Sequence, residues 1–170
     1  DIKYVIQTHL HLDHSGAIGH FPNATHITQR LEYDYAFNPD WFSQPAYIRD
    51  DFDKPNIRWK FLQGRKTDFY DVHGDGVIKI IFTPGHTPGH QSVLVNLPKT
   101  GHMLFTGDAC YTEDHWCDKC LPGLVASSTD AAESVKKLRR VAKEYDAKVV
   151  WGHDPVSWLD WKKAPMFYYD

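Results

Sequence analysis

Thr8-His9-Leu10-His11-Leu12-Asp13-His14 places four strong metal ligands within six positions, directly after the β-like run from Lys3 to Thr8. A chain with such a cluster has to end a strand there and bring further donors to it from elsewhere, which restricts the folds open to it. Donors are available at three later turns, Thr87-Pro88-Gly89-His90, Gly107-Asp108 and Gly152-His153-Asp154. The set His9, His11, Asp13, His14, His90, Asp108 and His153 suits two divalent ions with nitrogen and oxygen ligands. In an extended segment side chains two apart point the same way, so His9 and His11 converge on one ion. The turn that follows swings Asp13 and His14 toward a second point nearby. Asp108, the other carboxylate of the set, is the natural bridge, and a bridge holds ions roughly 3.5–4 Å apart.

With 170 residues, 42% of them hydrophobic, the chain is long enough for one domain with a sizeable core, residues 1–170. The net charge of −3 and the lack of a basic block argue against a nucleic-acid partner. Lys136, Lys137, Arg139 and Arg140 share one predicted helix and read as its solvated face. No apolar run reaches the length of a membrane span. The sequence opens on a strand and not on the apolar segment of a signal peptide. Three cysteines make no disulfide framework and suit a reducing cytoplasm, where we place the protein. Cys117-Asp118-Lys119-Cys120 stands alone and reads as two incidental thiols in a loop, and Cys110 as a small packed residue.

Strand-like runs, bounded by turn residues, fall at Lys3–Thr8, Ala24–Thr28, Arg58–Leu62, Val77–Phe82, Gln91–Leu97, Met103–Thr106 and Lys148–Trp151. Helix signals lie at His14–His20, Arg30–Phe37, Asp130–Tyr145 and Ser157–Lys163. The third is the clearest: Val135, Leu138, Val141 and Tyr145 form one apolar stripe, and Ser128 or Thr129 can cap it. Alternating strands and helices predict an α/β layered domain with its donors in turns at strand ends. The irregular stretch from Asn38 to Ile57, with the helix before it, is rich in aromatics, including Trp41, Phe42, Tyr47 and Phe52. These residues either pack the outer helix or form an apolar lid over the site.

The segments Thr8-His9-Leu10-His11-Leu12-Asp13-His14-Ser15-Gly16, Thr83-Pro84-Gly85-His86-Thr87-Pro88-Gly89-His90-Gln91-Ser92 and Gly152-His153-Asp154 resemble the metallo-β-lactamase superfamily. Within it, Asp108-Ala109-Cys110-Tyr111-Thr112, the aromatic stretch through Trp41-Phe42 and the tail Lys162-Lys163-Ala164-Pro165 are similar to the N-acyl-homoserine lactonases. The resemblance implies a four-layer αββα sandwich. It implies His9, His11 and His90 on a first zinc, Asp13, His14 and His153 on a second, and Asp108 between them. The residues alone leave His86 and His90 open; the resemblance implies His90, at the end of its run. In that family a strand-rich stretch carrying most of the first sheet precedes the cluster. Here eight residues precede it, so the N-terminal sheet is expected to be largely missing, with Lys3–Thr8 near a raw edge or a bare face.

The activity implied is that of a dinuclear zinc hydrolase opening the lactone ring of N-acyl-homoserine lactones to N-acyl-homoserines, which quenches a quorum signal. Co2+, Mn2+ or Fe2+ would suit the same donors. The implied partner is a small lactone with an acyl tail, with no nucleic acid and no membrane; oligomeric state stays open. Asp13 is implied as the proton shuttle and Tyr111, three residues after Asp108, as an oxyanion donor. The alternatives are another hydrolase on the same site, such as a glyoxalase II-like thioesterase, and an inactive truncated metal-binding module.

Overall fold

The computed structural model describes residues 2–120 and 122–170. Two sheets form. The first is parallel, in the order β1 (Tyr4–Ile6), β2 (Thr25–Gln29), β3 (Arg58–Leu62). The second holds β4 (Phe69–Asp71), β5 (Ile78–Phe82), β6 (Gln91–Leu97), β7 (Gly101–Phe105) and β8 (Lys148–Val150) in sequence order. Its pairings are antiparallel except the last, β7 with β8, which is parallel. The helices are α1 (Leu12–Ser15), α2 (Arg30–Phe37), α3 (Arg49–Phe52), α4 (Glu113–Trp116), α5 (Ser128–Glu144) and α6 (Pro155–Asp160).

The alternation of side chains along the strands builds the layers. Ile80 joins Ile27, Leu62 and Val72 between the sheets, while its neighbour Ile81 turns the other way, onto Leu138 and Val141 of α5 with Leu94 and Leu104. On the outer side of the first sheet, Trp59 packs with Ala36, Tyr47, Phe52, Leu10 and Ile18, and the Tyr33 ring lies 4.9 Å from Phe61. The result is the helix–sheet–sheet–helix order implied by the resemblance.

Several local expectations change. Ser127, and not Ser128 or Thr129, caps α5: its side chain accepts from the Asp130 N–H. A helix at His14–His20 does not form as one piece. The His11 carbonyl accepts from the His14 and Ser15 N–H groups and starts α1 earlier, and a separate 3-10 turn covers Ile18–His20. The Asn38–Ile57 stretch holds α3 and a 3-10 turn, and its Tyr47 and Phe52 are core residues of the outer layer. That corrects the lid reading for Tyr47 and Phe52; Trp41, 84% exposed, and its exposed neighbour Phe42 project from the surface.

Among the described residues β1 pairs only with β2, so it lies at an edge. On the second sheet, Val95, Leu97, Met103, Phe105 and Val150 line an apolar groove of about 500 Å³ against Trp158 and Trp161. Among the described residues, no helix is long and apolar enough to cross a membrane. Cys117 and Cys120 are free, exposed thiols, and Cys110 is buried.

Candidate metal centre

Four loops meet at one end of the two sheets: residues 8–14 after β1, 83–90 between β5 and β6, 106–111 after β7, and 151–154 after β8. Backbone and amide bonds hold them in register. The Gln91 N–H donates to the Thr8 carbonyl (2.9 Å), and the Gln91 side-chain amide donates to the Gln7 carbonyl (2.8 Å), tying the end of β1 to the start of β6. The His153 N–H donates to the Tyr111 carbonyl (2.9 Å) and joins the last two loops.

These loops bring three donor groups together: His9 with His11 and His86, His9 with His14 and Asp108, and Asp13 with His14 and His153. His86 Nε2 lies 3.2 Å from His9 Nε2 and 3.0 Å from His11 Nδ1. Asp108 stands between the groups. Its Oδ2 is 3.4 Å from His86 Nε2 and 3.2 Å from His153 Nε2, and its Oδ1 is 3.2 Å from His14 Nε2. Asp13 Oδ2 lies 3.3 Å from His14 Nε2 and 3.5 Å from His153 Nε2.

Two ligands about 2.0–2.1 Å from a tetrahedral ion are themselves about 3.3–3.4 Å apart, so this spacing fits divalent metal. Hydrogen bonding points the same way. The Leu124 carbonyl, 2.9 Å from His86 Nδ1, can only accept, so His86 carries its proton there and turns the Nε2 lone pair toward His9 and His11. His14 Nε2 and Asp108 Oδ1 are both buried, yet neither has an aligned hydrogen-bond partner. Buried polar atoms are normally satisfied, and a cation between the groups would satisfy these.

Electrostatics follow burial. Desolvation, reinforced by neighbouring imidazoles, holds His9 well below its ordinary pKa and His11 at about 4, and desolvation lowers His86 as well. At His14 burial also opposes the charge, but Asp108 and Asp13 outweigh it and the pKa rises. Burial alone would favour a neutral Asp108; the contact with His14 and the surrounding imidazoles hold it well below the usual carboxylate range. His153 and Asp13 are 44% and 48% exposed at the side chain and form the open rim.

His90 requires a correction. It is fully buried, but both its ring nitrogens are used by the protein. Nε2 accepts from the Asp108 N–H (3.0 Å), which puts the proton on Nδ1, 2.9 Å from Thr83 Oγ1. That hydroxyl in turn meets Ser92 Oγ at 2.9 Å, and Ser92 donates to the Thr106 carbonyl. His90 therefore props up the backbone of Asp108 and stays outside the three donor groups, where His86 takes the place assigned to it from sequence. The two glycines of this loop explain its path. A Cβ on Gly85 (φ +137°) would lie 2.3 Å from the Ala131 nitrogen of α5, and one on Gly89 would lie 2.1 Å from the Glu32 nitrogen of α2. His86 is thus carried on a loop pressed between two helices.

Tyr111 reaches the same cleft. Its hydroxyl is 3.2 Å from His86 Nδ1, and its ring meets the His153 ring edge-on at 5.1 Å. Burial first, then the nearby Asp108 and Asp13 charges, raise its pKa, so the phenol keeps its proton.

Comparison with known proteins gives the chain its relatives. The chain is 62% identical over 168 residues to the N-acyl homoserine lactonase AttM of Rhizobium radiobacter, covering 99% of this chain and 64% of that protein. It is 36% identical over 154 residues to the N-acyl homoserine lactonase of Bacillus cereus, covering 91% of this chain and 56% of the relative. A crystal structure of a variant of AiiA from B. thuringiensis, with N-decanoyl-L-homoserine bound at its active site, matches with a TM-score of 0.85 at 31% identity. The match covers all of this chain and 62% of that one. The chain thus spans less than two thirds of the length of these relatives. The metallo-beta-lactamase superfamily model matches residues 1–153, through all four donor loops and up to His153 itself, and the chain belongs to that superfamily.

Proposed function

We propose that this site is that of a dinuclear zinc hydrolase that opens the lactone ring of N-acyl-homoserine lactones, giving N-acyl-homoserines. The carrying observation is the 62% identity to a named lactonase over 99% of the chain, with Asp108 standing between two donor groups. The proposed ligands are His9, His11 and His86 on one side, Asp13, His14 and His153 on the other, and Asp108 shared. Co2+, Mn2+ or Fe2+ would suit the same donors.

Two bound ions would supply an activated water and would polarise the lactone carbonyl. The protein's own groups complete the chemistry. As water adds to the carbonyl carbon, negative charge gathers on the carbonyl oxygen, and the protonated Tyr111 hydroxyl donates to it. The ring C–O bond then breaks. Asp13, half exposed at the rim, carries the proton released by the attacking water to the departing ring oxygen. The water oxygen ends in the new carboxylate, whose acid proton is lost to solvent, and the ring oxygen ends as the homoserine hydroxyl. His153 and Asp13 leave the rim open to a lactone with an acyl tail.

Metal analysis and turnover of the full chain test this reading. Close to two ions per chain and hydrolysis of N-acyl-homoserine lactones would support it. Faster turnover of thioesters than of lactones would favour a glyoxalase II-like activity on the same site. Two ions without turnover of either would mark a metal-binding module.

A further inference from the structure

We infer that Glu32 is a positioning residue: it clamps the His9–His11 segment to the His86 loop and so sets how tightly that trio holds its metal ion. The inference rests on the proposed metal site and goes beyond its ligands.

Glu32 lies in the first turn of α2 and is fully buried. Burial strips a carboxylate there of its hydration and pushes its pKa up, and hydrogen-bond donors oppose that. The donors come from both ligand loops and from Tyr47. Oε1 accepts from the Leu10 N–H (3.0 Å) and from the Tyr47 hydroxyl (3.1 Å), Oε2 accepts from the Thr87 hydroxyl, and the Gly89 N–H also reaches the carboxylate. Three of these four donors sit beside a histidine of the site. Leu10 separates His9 from His11, and Thr87 follows His86. Tyr47 lays its ring edge-on against His11 at 4.6 Å. Gly89 approaches the α2 backbone more closely than any other residue type could.

His86 is 77 residues from His9 and 75 from His11, so local chain geometry does nothing to set their spacing. Gln91 ties the two loops at the level of the strands. Glu32 ties them again beside the imidazoles, where a shift of a few tenths of an ångström changes metal geometry. Partners that orient ligands are typically worth about ten- to a hundredfold in metal affinity.

The test is Glu32→Gln, an isostere that replaces one acceptor oxygen with a donor. Competition with a chromophoric chelator resolves the two ions, and cobalt(II) absorption reports the geometry at each. The expected result is a loss of about tenfold or more at one ion, with a changed cobalt spectrum there, while the other ion is unaffected. A folded Glu32→Gln protein with both affinities and both spectra unchanged would overturn the inference. So would an equal loss at both ions that tracks a lower melting temperature, since that is general destabilisation. If Glu32→Gln does not fold, Tyr47→Phe and Thr87→Val each remove one hydroxyl donor. A several-fold loss at the same ion in each supports the clamp, and no change in either overturns it. An unmodified chain that binds no ion defeats the metal reading itself, which separates the two failures.

Discussion

The reassignment of His86 and His90 leads to a paired experiment whose two arms give opposite results. His86→Ala removes one of three imidazole nitrogens from a donor group. Structural zinc sites of four ligands are worth roughly 10–16 kcal/mol, so one ligand is worth about 3–4 kcal/mol, or about 10²–10³ in affinity. Dialysis against a moderate chelator should then leave close to one ion where the unmodified protein keeps two. His90→Leu keeps the volume but strands the Asp108 N–H in a buried position. An unsatisfied buried N–H costs roughly 1–3 kcal/mol of stability. For a chain of this size that is roughly 2–12 °C in melting temperature. The Thr83 hydroxyl loses a partner too, but retains Ser92. The ion count of His90→Leu should stay near two, with some loosening because Asp108 is less firmly held. Metal analysis and thermal melts of the metal-free proteins read both effects. If His90→Leu loses an ion and His86→Ala keeps two, the reassignment is wrong and the sequence-based order stands.

Tyr111→Phe should cost turnover on the order of ten- to a thousandfold, as for a lost oxyanion donor, with both ions still bound; unchanged kinetics on every lactone tested would make Tyr111 structural. Acid should destabilise the metal-free chain. His11 is held at about 4 and His90 at about 3, against an ordinary value near 6.5, so below pH 6.5 the unfolded state takes up protons that the folded state refuses. That stability is complete above pH 6.5 and is lost as pH falls toward 3, by about 2 kcal/mol for His90 at pH 5; a flat denaturation midpoint between pH 7 and 5 would refute it. Leu138→Ala empties a fully buried position on the inner face of α5 and should cost about 2–5 kcal/mol by chemical denaturation, with unchanged ion stoichiometry.

Much of the architecture was legible because it rests on periodicity. The apolar stripe of α5 predicts Val135, Leu138 and Val141 as core, and all three are buried. Alternation marks β5, where Ile80 and Ile81 serve opposite faces. What escaped is too short to have a period. β4 has three residues, two of them half-buried, and is followed by a turn that Asp71 organises by accepting from the His73, Gly74 and Gly76 N–H groups. Such a segment reads as loop. α1 and α3 have four residues each, and a single turn shows no amphipathic face. The aromatics after α2 were legible as a cluster. Their destination was not, because only the path of the chain decides whether Tyr47 and Phe52 cover the site or fill the space behind it.

The choice between His86 and His90 shows where local reading stops. Thr83-Pro84-Gly85-His86-Thr87-Pro88-Gly89-His90 is one tetrapeptide repeated once, so the motif itself does not distinguish one histidine from the other. The difference lies in their neighbours. His90 borders β6, and its carbonyl accepts from the Thr83 N–H at 3.0 Å, so the backbone there closes the base of the loop. A side chain at that level is surrounded by sheet and turned toward Thr83 and the Asp108 backbone. His86 sits four residues further out, where the loop crosses between α5 and α2 and the side chain can project over the strand ends toward His9 and His11. A histidine abutting the first residue of a strand is held by the ladder; one at the far reach of the same loop is free to serve a site. Applied to this sequence, that distinction would have selected His86, because the strand-like run that begins at Gln91 already marks His90 as the base of the loop.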